Sequence, residues 1–535
     1  MTTRRVVLAA WCGLLLLVSY SSWAQDWPAL SGPDHNRVVD ATGLRETWTD
    51  APPIRWQIAV GFGQAPAVVR QGRVFTIGLV QAGQDPFLAS SAPSLAEVAA
   101  GTFRSGDVPG MPTGLKTDDY PLALRGDLYA LCVQAEDGAP CWKTRLTDAG
   151  IAFKTVKHSS TAWDLASPAV TAERLFIHTH TGDVYALDVT DGRVLWHTSL
   201  FEHHMGTWYG GQQGNSSAPL VIGDVVVVSC ENATGHLTVV ALDQRTGAER
   251  WMHESTLVGM NVRASRLGYG TPGGVPTLLG SCGSGTIGLA PDTGVLRWSF
   301  DVIAETPQTR QQVPPAYQQD PKAAKDYRID ALRTPFSGFA PVTWGDYVVD
   351  AACVGHNAVT SSTWCLKISG GHAALVWQTT AFVPLSASLK SPMIAYDGKL
   401  YGCDSYFPLF AKHYLTTRPY RGAGTGEFQC RSLADGALCW SSDAFNPLPA
   451  DVARADSQGT TFLIAGDRLI LSNSSGGWIA RLHSEGPATP TRLPVSGVPV
   501  LADGRLYVRG LTPRGDAQGT PGAGNLVCLD LRTAP

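Results

Sequence analysis

A chain of 535 residues with 57 Gly, 35 Pro, 16 Trp and only 16% charged residues can bury a large core. Its turn-rich, aromatic composition and scarcity of helix-period runs point to an all-β class. A formal charge of −4 lacks the basic footprint of a dedicated nucleic-acid binder and gives no reason for anionic membrane binding.

The N-terminus reads as a targeting segment. Arg4 and Arg5 precede an apolar run at 6–18, and "SWA" at 22–24 supplies small residues for cleavage before Gln25. The run is short for a stable transmembrane helix, and no later one follows. "TRRVVL" at 3–8 fits twin-arginine export and general secretion equally. Cys12 follows Trp11, which is no lipoprotein box. The expectation is a signal peptide over 1–24 and a soluble, exported chain, periplasmic or secreted.

Beyond it one pattern recurs. "APAVVRQGRVFTIG" at 65–78 is an apolar strand, a short polar turn and a second strand, and related hairpins start near 166, 217, 270, 339, 390, 459 and 497. A second hairpin follows several of them: "LYALCVQAEDGAPCW" at 128–142, "VYALDVTDGRVLW" at 184–196, "VVALDQRTGAERW" at 239–251, "IGLAPDTGVLRW" at 287–298 and "FQCRSLADGALCW" at 428–440. Asp-Gly or Thr-Gly supplies the positive φ of the tight turn. Two hairpins in series make a four-stranded blade, strands A to D, which cannot bury both faces alone. The ends complete one another: "PIRWQIAV" at 53–60 is a strand D with no C, and the final "NLVCLDLRTAP" is a strand C with no D. These features predict an eight-bladed β-propeller over 53–535, with its last blade closed by both termini and an N-terminal extension at 25–52.

Strands B–C and D–A are joined by the long segments, and in a meander both kinds of connection emerge on one face of the disc. The Trp near the end of each second hairpin (142, 196, 251, 298, 377, 440) and Trp56 read as packing residues, and the Asp of each turn as turn chemistry. Blade seven lacks that Trp and is expected to be the loosest. Cys132 with Cys141, and Cys430 with Cys439, stand at mirrored positions about their turns and are expected to form disulfides. Cys353 and Cys365 are a further possible link, while Cys230, Cys282, Cys403 and Cys528 read as buried thiols.

The unit "ALDxxTGxxxW" with "SPxVxxGxxY" resembles the pyrroloquinoline-quinone-like (PQQ-like) propeller repeat. "DWPALSGPDHN" at 26–36, "GLRETW" at 43–48 and "PPIRW" at 52–56 resemble the opening of an exported bacterial subgroup with this repeat, which usually has a bulky aromatic and Arg where Leu30 and Ser31 stand. The resemblance implies one of two kinds of protein. Quinoprotein dehydrogenases oxidise alcohols or sugars with PQQ and Ca²⁺ in the central funnel, often beneath a disulfide of adjacent cysteines. Others are non-enzymatic scaffolds such as the lipoprotein of the outer-membrane β-barrel assembly machinery. Here no two Cys are adjacent and no C-x-x-C-H is present.

On the long-loop face, Arg263, Lys390 and Asp456 form the expected polar cluster at the channel mouth. Arg263 and Lys390 would hold an anionic ligand and Asp456 would serve as base in a dehydrogenase, or the three pair and line a wet channel. Trp163, Trp208 and Tyr209 would stack on a planar cofactor or sugar, or pack the loops. His203 with His204, and His158, lack a spaced ligand set, so no metal site is assigned. The leading reading is a binding or scaffold module whose long-loop face takes a protein, glycan or small ligand. The alternative is an atypical PQQ- and Ca²⁺-dependent alcohol or sugar dehydrogenase. A channel plugged by 80–126 and 300–338 would favour the scaffold.

Overall fold

The computed structural model describes residues 26–88, 122–146, 166–200, 217–258, 267–305, 340–354, 362–379, 393–403, 428–442, 461–510 and 524–532, apart from a few positions inside these ranges, and also 151–154, 161–162, 203–204 and 335–337. Its strands sort into eight antiparallel sheets, one per expected blade. Blade 1 runs Val68–Arg70, Arg73–Gln81, Leu122–Gln134 and Pro140–Arg145. Blade 2, which gives the plainest repeat, runs Ala169–Val170, Arg174–His178, Asp183–Asp188 and Val194–Ser199. Blade 8 takes strands A to C from Gly497–Ala502, Arg505–Gly510 and Asn525–Asp530, and its outer strand D from Ile54–Ala59 at the other end of the chain. Trp56 pairs with Cys528 and Ile58 with Leu526, so the two half-repeats close the ring as expected.

Every C–D hairpin except that of blade 7 carries a bulge at one place. In blade 2, Ala186 faces Trp196 and Leu187 faces Val194, leaving Leu195 as the extra residue. The bulge directs the Trp onto the C–D turn of the next blade. Trp142 of blade 1 lies against Gly192 of blade 2, where an added Cβ would come within 2.5 Å of the ring. Its Nε1–H donates to the Val189 carbonyl of the same turn at 3.0 Å. Trp196 repeats this on Gly247 and the Gln244 carbonyl, and Trp251 on Gly294 and the Pro291 carbonyl. Trp377 does so on Gly436 and the Leu433 carbonyl, and Trp56 on Gly138 and the Ala135 carbonyl. The glycine therefore answers two demands, the left-handed φ of the turn (76° at Gly192) and a flat seat for an indole. The turn aspartates act as expected: Asp137, Asp191 and Asp435 each accept from the backbone N–H two residues on.

Three junctions depart from this clasp. From blade 4 to blade 5, the turn glycines Gly370 and Gly371 have nothing within 4 Å of an added Cβ. Buried Asp350 of blade 5 instead accepts from Ser281 and Thr286 of blade 4 at 2.9 and 2.8 Å, and Trp364 donates to Thr286. From blade 6 to blade 7 the clasp is slack, with Trp440 3.8 Å from an added Cβ at Gly486. Between blades 7 and 8, Arg37 of the N-terminal extension spans the junction, donating to the Phe462 carbonyl at 2.8 Å and the Pro499 carbonyl at 3.4 Å.

The bulge also corrects the expected cysteine geometry. Cys132 faces Trp142 and Cys430 faces Trp440, so Cys141 and Cys439 occupy the extra bulge position and neither pair is directly opposed. All four are free thiols, and so are Cys365 and Cys528, while Cys230 and Cys282 are buried as expected. The side chains of Cys353 and Cys403 lie outside the described residues.

Substitution of two turn glycines separates the two demands. Gly72 has a φ of 72° and nothing within 4 Å of an added Cβ. Gly72→Ala should cost about 1 kcal/mol of backbone strain alone. Gly192→Ala should cost ~2 kcal/mol more, because the Trp142 ring must move. Equal losses in denaturant unfolding would show that the indole seat contributes nothing.

Candidate functional site

The ring's inner wall is made of strands A, and residues 26–45 lie across it. Trp27 is fully buried and exchanges backbone hydrogen bonds with Val69 of blade 1. The Pro28 carbonyl accepts from Val170 of blade 2. His35 sits edge-on to Tyr269 of blade 4, with ring centroids 5.5 Å apart. Val38–Val39 then pairs in parallel with Thr461–Ala465, the inner strand of blade 7. Leu44 bridges Arg532 beyond the last strand of blade 8. Blades 4 and 8 are opposite in a ring of eight, so the segment spans the bore. It does so near the A–B turns, because Val69, Val170, Tyr269 and Ala465 all lie at the turn ends of their strands.

The crossing is a compact polar loop. Arg37 donates backbone N–H to the Ser31 carbonyl at 2.7 Å and its guanidinium to the Leu30 carbonyl at 2.9 Å. Gly32 leaves room for the Trp27 ring, 3.3 Å from where a Cβ would stand. His35 and Arg37 both hold left-handed backbone, at φ 57° and 59°, a cost that the surrounding contacts must offset. Burial pushes the His35 imidazole below its ordinary value, opposed by Asp34, and Nδ1 of His35 has no hydrogen-bond partner.

Two buried guanidiniums bind the chain itself, Arg37 through all three nitrogens and Arg509 through its two terminal ones, while Nε of Arg509 has no partner. Arg37 is pushed down to about 10 by burial and binds the Phe462, Leu30 and Pro499 carbonyls and Thr461 Oγ1. Arg509 is pushed down to about 9, again by burial. It binds Thr76 Oγ1 at 3.0 Å, the Gly61 carbonyl at 3.1 Å and the Val60 and Ile77 carbonyls, which ties blade 8 to blade 1. Carbonyl dipoles compensate a cation only in part, so each guanidinium is held by geometry more than by charge pairing.

At the other end of the bore, where strand B leads into C, His178 is buried between blades 2 and 3. Its Nδ1 accepts from the Ser217 N–H at 3.0 Å, which places the ring proton on Nε2, and Nε2 has no partner. Ser217 Oγ in turn accepts from the Ser229 N–H at 2.8 Å. Burial pushes His178 down to about 4. Nearby, the start of strand C carries Asp127 with Arg145 in blade 1 and Asp183 with His197 in blade 2, at 2.7 and 2.9 Å.

Of the residues expected to form the site, Arg263, Lys390, Asp456, Trp163, Trp208, Tyr209 and His158 lie outside the described residues. His203 and His204 are described and do not converge: His204 Nε2 contacts Glu249 at 2.7 Å, and the two rings are 6.4 Å apart. Among the described residues, no three His, Cys, Asp or Glu side chains lie together as a metal cluster. Arg37, Arg509 and His178 escape a reading of the sequence because their partners are up to 462 positions away.

The fold defines the class, a closed propeller of PQQ-like repeats. Residues 125–321 match the family model described as outer membrane protein assembly factor BamB. That match covers the middle of the chain, and the ring of eight four-stranded sheets is the feature shared with known structures. A europium-containing methanol dehydrogenase aligns at 11% identity and a TM-score of 0.50, covering 95% of this chain and 98% of that one. BamB from Moraxella catarrhalis aligns at 12% identity and 0.43, covering 86% and 99%. The quinohemoprotein alcohol dehydrogenase from Comamonas testosteroni aligns at 12% and 0.49, covering 95% and 81%. Such identities speak to the fold alone. A comparison with curated proteins finds no match.

The pH dependence of His178 follows from its burial. Its folded value of about 4 lies below the unfolded 6.5, so the unfolded chain binds the proton first. The stability contribution is complete above pH 6.5 and is lost as pH falls towards 4, on the order of 3 kcal/mol in full. Asn at this position keeps an acceptor for Ser217 and cannot titrate. The His178→Asn variant should therefore lag wild type in Tm at pH 7.5 and close the gap by pH 4.5. A gap independent of pH would contradict the assignment.

Proposed function

We propose that this chain is an exported binding scaffold that presents its long-loop face to a protein, glycan or small-molecule partner, and that it is not a redox enzyme. The observation carrying this reading is the segment laid across the bore. Residues 26–45 cross it near the A–B turns, and the cation that anchors them, Arg37, is consumed by backbone carbonyls. The crossing element described is the N-terminal segment; most of the 80–126 and 300–338 segments, considered from the sequence as a plug, lies outside the described residues. The family match to an outer membrane assembly factor supports the same reading. Export rests on the leader at 1–24 and on the exported proteins that the opening of the mature chain resembles.

The attachment points of the long segments support a one-sided surface. The A–B and C–D connections are short, the longest A–B one being the six residues 271–276 of blade 4, and the long segments leave from the ends of strands B and D. A rigid disc with loops on one face suits recognition whose specificity lies in those loops.

Titration of the purified mature chain with PQQ and Ca²⁺, followed by quinone absorbance and thermal unfolding, tests this directly. A ligand about 100-fold above its Kd stabilises by ~2.7 kcal/mol, which a melting curve resolves. The scaffold reading expects no saturable change in absorbance and no rise in Tm. Saturable binding with a raised Tm, followed by alcohol or sugar oxidation with an artificial electron acceptor, would overturn it in favour of a dehydrogenase.

A further inference from the structure

We propose that Cys132 with Cys141, and Cys430 with Cys439, are two thiol–disulfide exchange sites. Each closes to a disulfide that pins the strand bearing the clasp Trp. The argument begins with what the repeat already explains. The residue facing the clasp Trp must be small, and it is Ala186, Ala241 or Gly288 in blades 2, 3 and 4. Cys132 and Cys430 meet that need by packing alone, as Cys365 and Cys528 do. The residue just before the Trp has no such constraint: it is Arg55, Leu195, Arg250, Arg297 or Val376 in five blades. In the other two it is Cys141 and Cys439, and both stand beside a Cys already facing the Trp. Packing selects one member of each pair for its small size, whereas the other stands at the rim, Cys141 partly buried against the core and Cys439 exposed.

The bulge brings them together. Two residues of the bulged strand oppose one on its partner, so Cys141 and Trp142 both stand over Cys132, and Cys439 and Trp440 over Cys430. The thiols of each pair are near enough to act on one another, Cys141 helping to raise Cys132 and Cys439 helping to raise Cys430. Access is uneven within each pair: Cys132 and Cys430 are buried, Cys141 is partly exposed and Cys439 exposed. Burial raises the Cys132 thiol and pushes Cys430 up to about 12, so exchange starts at the outer sulfur.

The oxidant is a disulfide, carried by an oxidoreductase or by glutathione. The Cys439 thiolate attacks one of its sulfurs, forming a mixed disulfide and releasing the other sulfur as a thiolate. Cys430 then gives up its proton and attacks the Cys439 sulfur, which expels the second thiolate. Two electrons and two protons pass from the pair to the partner, which leaves as the reduced dithiol or two thiols. Cys132 and Cys141 react in the same way. The product ties strand C to the strand whose Trp142 or Trp440 seats on the next blade, so oxidation stiffens the clasp at its root.

The test uses the fully reduced mature chain, incubated with oxidised glutathione, quenched with maleimide and mapped by mass spectrometry. The expected result is a peptide linked between positions 132 and 141, another between 430 and 439, and a Tm a few degrees above that of the reduced chain. Cys141→Ser and Cys439→Ser, both at accessible positions, should each remove one link and leave the other. Stable glutathione adducts on Cys141 and Cys439, with no link to their neighbours, would overturn the proposal. So would maleimide labelling of both outer thiols after oxidation.

Discussion

The contact between an indole and a glycine organises this molecule. A propeller blade has two apolar faces and needs a neighbour on each, but apolar area alone does not fix how far one blade is rotated on the next. The clasp fixes it. Trp196 lies flat on Gly247 and donates its one N–H to a carbonyl of the same turn, so both distance and direction are set. The sequence elements needed are an Asp or Thr before Gly, a bulge and a Trp five or so residues on. The recurrence of that short phrase along the chain is the recurrence of one joint.

Where the joint is missing, polar side chains replace it, and each replacement is particular to its place. Asp350 with Ser281, Thr286 and Trp364 holds blade 5 to blade 4. Arg37 holds blade 8 to blade 7, and Arg509 backs the Trp56 clasp where blade 8 meets blade 1. Glu136 adds exposed ion pairs to Arg55 and Arg505 at that last junction. Buried charge is costly and contributes little net stability. Its benefit here is discrimination, because blades joined only by equivalent clasps offer many near-equivalent pairings. The unlike junctions mark where the ring opens and how it shuts.

The hairpins and the ring closure were legible in the sequence because both depend on local signals. Period-two alternation, Asp-Gly turns and complementary half-repeats at the ends are visible within a dozen residues. The cysteine geometry was misjudged because a bulge adds one residue without disturbing the mirrored spacing of Cys132 and Cys141 about Asp137-Gly138. The role of 26–45 was not legible at all. "LSGPDHNR" carries no periodicity, and what holds it is a set of contacts to blades 1, 2, 4, 7 and 8 that exist only once the ring is built. For the same reason His178 reads as an ordinary strand residue, although its burial depends on Ser217 in the following blade. The expected cluster of Arg263, Lys390 and Asp456, with Trp163 and Trp208, falls in connections outside the described residues.

The joints, the closure and the crossing segment make one account: a ring whose last blade is completed by Ile54–Ala59 on Asn525–Asp530, with residues 26–45 held across its bore. The most direct measurement is backbone hydrogen–deuterium exchange across 26–45. Trp27 N–H donates to Val69, and Ile464 and Gly466 N–H donate to Arg37 and Val39, so the segment shares its hydrogen bonds with the inner wall. Exchange of 26–40 as slow as that of the inner strand Gly497–Ala502 is the predicted result. Exchange at the rate of free chain, with the blades still protected, would mean an open bore and contradict the account.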